Sequence, residues 1–473
     1  MTALMWFRRD LRVSDNRALY QATAAGGGVV AVALITPLQW QKQNESPAKL
    51  SFWLACLQEL AGRLAELGIK LHVEEVPDNA DIPEFMQQFA RARKCDALYF
   101  NREYEYYEQQ RDETVKRVMQ AQKIRTFDFA DRLLIEPGRL LTGSGGYYTV
   151  FTPFKKSWLG LLSRADLEPL PLPAPVAAAL PTPELPVAEI SSRLGLPGWP
   201  SDLWPAGETA AQKRLAEFAG GALDTYHELR DLPAVDGTSR LSPWLACGAI
   251  SPRQCLVVVI RDNKKMPAAG SGGEAWLNEL VWRDFYTHVV VGFPRVSCSQ
   301  PFQKKTAGLQ WRYDECDLKA WQSGLTGYPI VDAAMRQLKQ TGWMHNRLRM
   351  VAAMFLSKHL LIDWRLGEKY FMQNLLDGDL AANNGGWQWS ASTGTDAVPY
   401  FRIFNPFTQS QRFDADGGFI RRYCPELEPV SAVALHDPKK LAAEIAKKKI
   451  SYPAPVVDHK LARERALAAF KNL

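Results

Sequence analysis

The run VVAVALI at residues 29–35 decides the fold of the amino-terminal part of this chain. It is short, apolar and rich in β-branched residues, which is typical of a buried strand. Comparable runs lie on both sides of it, at LMWF (4–7), KLHVEEV (70–76) and ALYFN (97–101). A helical pattern covers residues 48–67, between two of these runs. Strands that alternate with helices predict βαβ units and a parallel sheet.

A proline-rich segment marks the main boundary of the chain. Ten prolines lie between Pro169 and Pro205, a density that excludes regular helix and predicts an extended connector. From about residue 206 the patterns are helical, as in EAWLNELVWRDFYTHVVV and PIVDAAMRQLKQ. We therefore predict an α/β domain over residues 1–135, a linker over 136–205 that is Pro-rich from 169, and a helical domain over 206–473.

Composition narrows the class of protein. The chain has 473 residues, of which 47% are hydrophobic and 23% charged, as in ordinary soluble globular proteins. A net charge of +6 favours a nucleic-acid partner only weakly, but 15 Trp, 21 Phe and 15 Tyr offer many rings for stacking on bases or on a cofactor. The seven cysteines form no CxxC, and no signal sequence or membrane-length apolar run is present. These features predict a cytoplasmic protein.

Residues 377–406, DGDLAANNGGWQWSASTGTDAVPYFRIFNP, carry acids, amides and glycines where a core helix would carry aliphatic side chains. Asp379 and Asn383 are four residues apart and would share one helix face. A glycine pair that allows close backbone approach follows them, and two tryptophans come next. This composition predicts a wall for a large, polar, planar ligand, and an irregular loop between helices is the alternative.

Two further segments place polar groups beside apolar helices. In GTSRLS (237–242), hydroxyls and free N–H groups precede a helix, where they would suit a phosphate; ordinary helix capping is the alternative. On the next helical pattern, Trp276, Glu279 and Arg283 share one face, and Trp282 flanks Glu279. An intrahelical Glu279–Arg283 salt bridge is the alternative to ligand binding there.

GWMHNRLRM (342–350) repeats this pattern with Asn346, Arg349 and Met350 on one face. At least eight polar residues thus lie on otherwise apolar helices, where burial is costly unless a ligand or mutual pairing satisfies them. The seven histidines are dispersed, and no Ser or Cys has a recognisable base beside it, so the sequence predicts neither a metal site nor a nucleophile. The chemistry is therefore expected to come from a cofactor.

The segments WLNELVWRDFY, TGYPIVDAAMRQL, GWMHNRLRM and DGDLAANNGGWQW together resemble the photolyase and cryptochrome flavoprotein family. The resemblance is closest to the bacterial class I cyclobutane pyrimidine dimer photolyases, and WFRRDLRVSDN and FTPFKKSW extend it over nearly the whole chain. It implies an amino-terminal parallel-sheet, Rossmann-like antenna domain joined by a long linker to an all-α FAD-binding domain. In the family, that helical domain holds a folded FAD beneath a hole in a basic DNA-binding face.

The resemblance assigns FAD contacts to two groups of residues. The phosphates and ribityl chain would be held by Tyr226, Thr238, Ser239, Arg240, Leu241 and Ser242. The flavin and adenine surroundings would be Trp276, Arg283, Asn346, Arg349, Asp377, Asp379 and Asn383, with Arg349 and Asp377 paired. Asn383 would face flavin N5, where a neutral amide does not oppose the anionic reduced ring. Animal cryptochromes typically have Cys there and plant ones Asp, so Asn383 favours repair.

The resemblance also implies a lesion site and DNA contacts. Glu279 would hydrogen-bond the dimer and stabilise its radical anion, while Trp282 and Trp389 would form apolar walls that Asn346 and Met350 complete. The (6-4) enzymes usually have histidines in this cavity, so the pattern favours cyclobutane dimers. Candidates for phosphate contacts are Arg230, Arg347 and Arg402.

Trp387, Trp364 and Trp311 match the tryptophan chain that carries electrons to the photoexcited flavin in this family. Without the resemblance, Trp364 and Trp311 would be interpreted as simple packing. The antenna positions depart from folate-binding relatives: the corresponding residues are Gln43, Tyr107 with Glu108, and Ser297 with Cys298, of which only Glu108 matches. Methenyltetrahydrofolate in a rearranged pocket, a deazaflavin, or no tightly bound antenna are the alternatives.

The predicted function is light-driven repair of cyclobutane pyrimidine dimers in UV-damaged DNA, with reduced, anionic FAD as electron donor. We expect a monomer without an obligate protein partner or membrane, in the bacterial cytoplasm with the nucleoid. A cryptochrome-type photoreceptor and (6-4) photoproduct repair are the alternatives. Only about 67 residues follow the FNP motif at 404–406, so no signalling tail is expected. A non-enzymatic nucleic-acid binder would leave the buried polar residues unexplained.

Overall fold

The computed structural model describes residues 2–162, 167–260, 266–471 and 473. It contains two compact units, and each is assembled from three separate segments of the chain. The first unit consists of Met1–Asp224, Ser239–Pro294 and Leu376–Asp379. The second unit consists of Thr225–Thr238, Arg295–Leu375 and Leu380–Leu473.

A five-stranded parallel sheet forms the centre of the first unit. Its strands are β1 Thr2–Phe7, β2 Gly28–Ile35, β3 Lys70–Glu75, β4 Ala97–Asn101 and β5 Arg125–Phe129. The order across the sheet is β3-β2-β1-β4-β5, and Leu4 pairs with Val30 on one side and Leu98 on the other. The direction of strand addition reverses between β1 and β4. In open α/β sheets, ligands bind beyond the carboxyl ends of the strands at such a reversal.

The four predicted strands are confirmed, but the sequence analysis missed β5. Its sequence RTFDF lacks an apolar run, and its residues are exposed or half-buried because β5 lies at the edge of the sheet. Edge strands commonly carry charges that discourage pairing with other chains. Phe127 of β5 nevertheless stacks on Tyr99 of β4 with ring centroids 4.9 Å apart, so one face of this strand does contribute to the core.

Eleven helices of the first unit are described: Arg17–Ala24, Pro37–Lys42, Pro47–Glu66, Ile82–Ala92, Tyr106–Ala121, Phe151–Leu161, Val187–Arg193, Glu208–Gly220, Ser242–Cys247, Pro252–Val257 and Gly272–Gly292. The predicted helix over 48–67 is confirmed as Pro47–Glu66, with Ser46 as a side-chain N-cap. The exclusion of helix from the proline-rich segment is wrong for Val187–Arg193. This run contains no proline, and Pro186 stands at its N-cap, where the missing N–H costs little.

The second unit is helical. Its helices are Tyr226–Leu229, Glu315–Ser323, Pro329–Thr341, Asn346–Met354, Trp364–Asn374, Leu380–Ala391, Pro406–Phe413, Gly418–Tyr423, Ala432–Leu435, Pro438–Lys448 and His459–Lys471. A π-helical turn, Phe355–His359, follows Met354 directly. Short 3₁₀ turns occur at Pro294–Cys298, Lys304–Gly308 and Pro425–Leu427. The predicted fold class, a parallel-sheet α/β part followed by a helical part, is confirmed.

One core cluster fills the second unit, and three tryptophans, Trp321, Trp364 and Trp387, are buried in it. They pack with aliphatic residues such as Leu356 and with Phe371. Within the described ranges, no helix combines the length and apolarity needed to cross a membrane.

Candidate functional site

The segment singled out in the sequence forms a helix, Leu380–Ala391, so the loop alternative is wrong for these residues. The helix begins one residue after Asp379, and Asn383 lies in its first turn. Asn383 is half-buried, and its Nδ2 donates to the backbone carbonyl of Glu368 at 3.0 Å. Three residues further on, a Cβ added to Gly386 would meet no atom within 4 Å. The helix therefore presents an amide beside an open face.

A buried polar network holds this helix in place. Asn384 Nδ2 donates to Glu368 Oε1 at 2.7 Å, and Gln388 Nε2 donates to Asn384 Oδ1 at 2.8 Å. Gln388 Oε1 in turn accepts the backbone N–H of Phe302 at 2.8 Å. Burial raises the pKa of Glu368 to about 7, although the bond from Asn384 lowers it. Glu368 was not predicted as a site residue, because a glutamate between Arg365 and Lys369 is typical of a solvated, charged helix face.

Trp387 lies on the inner face of the same helix, 2% exposed. Its ring meets Phe371 edge to face with centroids 4.9 Å apart, and Trp321 at 6.0 Å. Gly367 makes room for it, since a Cβ there would lie 2.1 Å from the Trp387 ring. Trp364 is buried in this cluster and Trp311 packs against it. The three tryptophans of the predicted chain thus belong to one core.

Trp389 differs from Trp387 in its surroundings. It is half-buried and follows Trp387 by two residues, which places it on another face of the helix. Arg402, further along the chain, is exposed.

The helix Asn346–Met354 carries several of the predicted residues. Asn346 is its first residue, and Arg349 Nε donates to the carbonyl of Met344 at 2.8 Å. Arg347 pairs with Asp231 at 2.7 Å, and its guanidinium lies 4.5 Å from the Phe413 ring. The charge of Arg347 is therefore partly neutralised within the second unit. Arg347 also reaches the sulfur of Met350 at 3.9 Å.

Two other predicted residues of the second unit lie together. The guanidinium of Arg230 is 5.5 Å from the Tyr226 ring, a cation–π distance. Tyr226 is buried. Thr238 lies at the end of the same chain segment, Thr225–Thr238.

In the first unit, the helix Gly272–Gly292 positions the predicted lesion and flavin residues. Trp276 is buried against Phe218 with centroids 5.1 Å apart, and Glu279 is half-buried. Trp282 stacks on Phe151 at 3.6 Å with an interplanar angle of 3°. Phe151 belongs to the FTPFKKSW motif, and its role as a backing for Trp282 was missed. Phe151 therefore covers one face of the Trp282 ring, and Tyr286 also contacts the ring, with centroids 5.5 Å apart.

Arg283 of this helix donates through Nη1 to the backbone carbonyl of Arg132. Burial and the nearby Arg132 charge lower the pKa of Arg283. Arg132 itself pairs with Asp379 at 3.1 Å and with Glu105 at 3.4 Å. The sequence analysis missed Arg132, because an isolated arginine in DRLLIEPG carries no periodic signal. It anchors one of the predicted cofactor residues to the sheet-containing unit.

The segment Ser239–Ser242 leads into the short helix Ser242–Cys247. The N-cap of this helix is Leu241, which makes no side-chain capping bond, while the Oγ of Ser239 accepts the Leu241 N–H at 3.5 Å. Arg240 adopts a left-handed backbone conformation with φ of 52°, which is uncommon outside glycine. Arg214 Nε donates to the Ser239 carbonyl at 2.9 Å. Backbone strain of this kind is found more often at functional sites than elsewhere.

A cavity of about 90 Å³ opens in the first unit beyond the carboxyl ends of β1, β2 and β4. Its lining combines rings and charges, among them Trp6, Arg8, Arg9, Trp40, Gln43, Glu45, Lys49, Trp53, Glu103, Glu108 and Arg111. The charges pair with one another or with near neighbours: Arg8 with Asp112 at 2.8 Å, Arg111 with Glu103 at 2.8 Å, and Arg9 with Glu105 at 2.9 Å.

Glu108 lines this cavity and accepts a hydrogen bond from Gln43 Nε2. Burial and the neighbouring Glu105 raise the pKa of Glu108. Tyr107 is 55% exposed. Ser297 and Cys298 belong to the second unit, where Cys298 is exposed. The structure thus brings Gln43 and Glu108 together in the cavity wall.

Two family models match the chain. Residues 3–176 match the model described as DNA photolyase, and residues 276–472 match the FAD binding domain of DNA photolyase. The deoxyribodipyrimidine photo-lyase of Salmonella typhimurium is 48% identical, with 99% of this chain and 98% of the relative covered. The enzyme of the same name from Escherichia coli is 45% identical at 99% and 98% coverage.

Solved structures agree with these matches. A bacterial class III photolyase from Agrobacterium tumefaciens superposes with a TM-score of 0.86 at 37% identity, covering 100% of this chain and 97% of that one. A Sulfolobus tokodaii photolyase described with two FAD molecules gives 0.83 at 30% identity, covering 100% of both chains. A Synechocystis cryptochrome also gives 0.83 at 30% identity, covering 99% of each. With this similarity over its whole length, the parallel sheet and the helical FAD-binding part, the chain belongs to the DNA photolyase family.

Proposed function

We propose that this chain is a deoxyribodipyrimidine photo-lyase, which uses light to split cyclobutane pyrimidine dimers in UV-damaged DNA with bound, reduced FAD. The observation that carries the proposal is the helix Leu380–Ala391. It combines the amide of Asn383, the open face at Gly386 and the buried Trp387 within a few residues. Membership of the photolyase family supports the same function.

The residues of this helix fit a flavin. Because Asn383 Nδ2 donates to the Glu368 carbonyl, the amide is oriented so that its Oδ1 can accept a hydrogen bond from an N–H on a reduced ring. The amide adds no charge that would oppose an anionic ring, and the absence of a side chain at Gly386 leaves room for a planar group. When bound and reduced, FAD supplies the excited electron that opens the cyclobutane ring and receives it back.

The proposed FAD contacts fall into two groups. Phosphate and ribityl contacts are proposed for Tyr226, Thr238, Ser239, Arg240, Leu241 and Ser242. Flavin and adenine contacts are proposed for Trp276, Arg283, Asn346, Arg349, Asp377, Asp379 and Asn383, with Arg349 paired to Asp377. The Arg132–Asp379 ion pair supports this set, because the charge-assisted contact at 3.1 Å helps to orient the Asp379 carboxylate.

On the substrate side, Glu279 is proposed to hydrogen-bond the dimer and stabilise the charge that develops on it. Trp282 and Trp389 would stack against the flipped lesion, and Asn346 and Met350 would complete the cavity. A dimer pairs and stacks poorly in duplex DNA, so flipping it costs less than flipping a sound base.

For the DNA backbone we propose phosphate contacts from Arg230, Arg347 and Arg402. Arg402 is exposed, whereas Asp231 already pairs with Arg347. We therefore assign the larger electrostatic contribution to Arg402. Trp387, Trp364 and Trp311 are proposed to pass electrons inward from the surface, a role for which their common core is suitable.

A second, light-harvesting chromophore would be held in the first unit, and the cavity at the β1/β4 reversal is the proposed place. Its tryptophan rings suit a planar deazaflavin or folate. A folate contact through Glu108 would use its Oε2, since Gln43 Nε2 donates to Oε1. Residues 1–135 are proposed as the antenna domain and 206–473 as the catalytic domain, in a monomer that acts with the nucleoid in the cytoplasm.

The test is a repair assay with the purified, FAD-loaded and chemically reduced protein. An oligonucleotide with a single thymine dimer is illuminated with blue light, and recovery of thymine absorbance is followed. We expect recovery that depends on light, and a much slower reaction with an oligonucleotide that carries a (6-4) photoproduct. No recovery on either substrate, with flavin bound, would favour a cryptochrome-type photoreceptor.

A further inference from the structure

The segment Ser392–Tyr400 forms a loop between two residues of the proposed DNA site, Trp389 and Arg402. Its first residues are fixed, because the N–H groups of Thr393 and Gly394 donate to the Gln388 carbonyl at 3.0 and 3.1 Å. Two exposed rings lie at its far end: Tyr400, its last residue, and Phe401, which follows it and is 60% exposed. The spacing between Trp389 and Arg402 therefore depends on the contacts that hold the two ends of this loop together.

Lys358 holds both ends. Its Nζ donates to Ser392 Oγ at 2.7 Å and to the Tyr400 carbonyl at 3.3 Å. Ser392 adopts a positive φ of 59°, and its Oγ donates to the Val398 carbonyl at 2.6 Å. The Lys358 ammonium group thus connects Ser392 and Tyr400, the first and last residues of the loop. The Ser392 hydroxyl adds a second link, to the Val398 carbonyl.

The ring of Phe470 covers the same ammonium group. Lys358 Nζ lies 4.0 Å from the centre of the Phe470 ring, a cation–π contact. Phe470 stacks on Tyr400 with centroids 5.9 Å apart and an interplanar angle of 12°. The carboxyl-terminal helix His459–Lys471 therefore supports the loop through the ring that also contacts the lysine.

Burial of Lys358 costs folding free energy. Lys358 is 0% exposed, and among the described residues no carboxylate forms an ion pair with it. Burial lowers its pKa to about 7. An apolar side chain of similar length would fill the position without this desolvation cost. Lys358 is also part of the π-helical turn Phe355–His359, and such turns are frequent at functional sites.

We propose that Lys358 is a positioning residue for DNA binding, which sets the spacing between Trp389 and Arg402 by tying the two ends of the Ser392–Tyr400 loop. The inference rests on the proposed function, because it assigns these two residues to the DNA site. It adds a residue that touches neither DNA nor cofactor and acts through the loop alone.

The experiment compares Lys358→Met with the wild-type full-length protein. Three quantities are measured: the affinity for a duplex with one thymine dimer, cleavage by chymotrypsin after Tyr400 and Phe401, and the thermal midpoint. Methionine removes the buried charge but keeps the unbranched chain. We expect an affinity about tenfold lower, the equivalent of one hydrogen bond to a charged group, together with faster cleavage and an undiminished midpoint. Lys319→Met, which removes one exposed lysine of the same unit, is the matched control and should change none of the three.

A purely structural role for Lys358 predicts the opposite combination, a lower midpoint with unchanged affinity in the folded protein, and this result would overturn the proposal. If Lys358→Met does not fold, Ser392→Ala removes one of the two tied groups and should lower affinity and speed cleavage in the same direction. If the wild-type protein shows no preference for the dimer, the proposed function fails. The cleavage rates still test whether Lys358 ties the loop in that case.

Discussion

The cavity of the first unit and the helix Leu380–Ala391 of the second differ in how their polar groups are used. Around the cavity, Arg8, Arg9 and Arg111 pair with Asp112, Glu105 and Glu103, so the charges satisfy one another within the fold. On the helix, neutral amides and aromatic rings replace ion pairs. Asn383 donates through Nδ2 to the Glu368 carbonyl there. Ion pairs dominate the first region, whereas neutral amide hydrogen bonds and packed rings dominate the second.

The sharpest test of the second region is Trp387→Phe. Because phenylalanine is harder to oxidise, we expect photoreduction of the bound flavin to slow about a hundredfold or more, which equals about 3 kcal/mol in activation free energy. Repair by chemically pre-reduced protein should stay largely intact. Transient absorption measures the first quantity and the dimer assay the second. Trp321→Phe changes a ring that touches Trp387 and is the matched control; equal losses in both variants would indicate a packing effect instead.

The first region is tested by Arg132→Met. The change removes the Arg132 partner of Asp379 and of Glu105, although Glu105 keeps Arg9, and breaking a buried pair typically costs about 3–5 kcal/mol. Burial raises the pKa of Glu105, but Arg132 and Arg9 outweigh it and the net pKa is lowered. This stabilisation is present at neutral pH and disappears as the pH falls through the folded-state pKa. Urea unfolding at pH 7 measures the loss.

Arg193→Met removes a half-exposed ion pair with Glu75 and serves as the control for Arg132→Met. It should cost under about 1 kcal/mol. Similar losses from both variants would show that burial adds nothing to the strength of the Arg132 network.

Glu368→Gln tests the hydrogen-bond network behind Asn383 through the pH dependence of stability. The folded-state pKa of Glu368 is raised by burial to about 7, against about 4.3 in an unfolded chain. Its contribution to stability is therefore complete below the unfolded pKa and is lost as the pH rises through 7. At pH 8 the variant should be more stable than wild type by about 3 kcal/mol, with a flatter dependence between pH 5 and 7 in urea unfolding. Glu315→Gln, at an exposed position, should leave the wild-type slope in place.

Among the variants at buried positions, Gly367→Ala should have the smallest effect on stability. The new methyl group would lie 2.1 Å from the Trp387 ring, and overpacking of this kind typically costs about 1–3 kcal/mol. The thermal midpoint should fall, and photoreduction should slow because the ring is displaced. Gly386→Ala is the contrast, since its Cβ meets nothing within 4 Å. A lower midpoint for Gly386→Ala without flavin would mean that the open face of the helix is occupied by protein.

Much of the fold was predictable from hydrophobic periodicity. Strands β1 to β4 and the helices around Trp276 and Asn346 follow it, because their burial is regular. β5 was not predictable, since an edge strand needs no apolar run, and the helix Val187–Arg193 was obscured by its flanking prolines.

For the site, motifs in the sequence indicated residues that would face a ligand, but not the residues behind them. Arg132, Phe151 and Glu368 act on predicted residues from distant parts of the chain. Their positions follow from tertiary packing, which no spacing within a single segment reports. Lys358 belongs with them, because a lysine at helical spacing normally predicts a solvated face.

The stacking of Phe151 on Trp282 at 3.6 Å has a consequence for binding thermodynamics. A lone tryptophan at a cavity wall loses rotamer freedom when a base stacks on it, and ordering a side chain typically costs about 0.5–1.5 kcal/mol. Here the ring is already immobilised as half of a two-ring slab, so this entropy is lost during folding. Preorganisation of the wall should appear in calorimetry as a smaller entropic penalty for dimer binding, and Phe151→Ala should enlarge it.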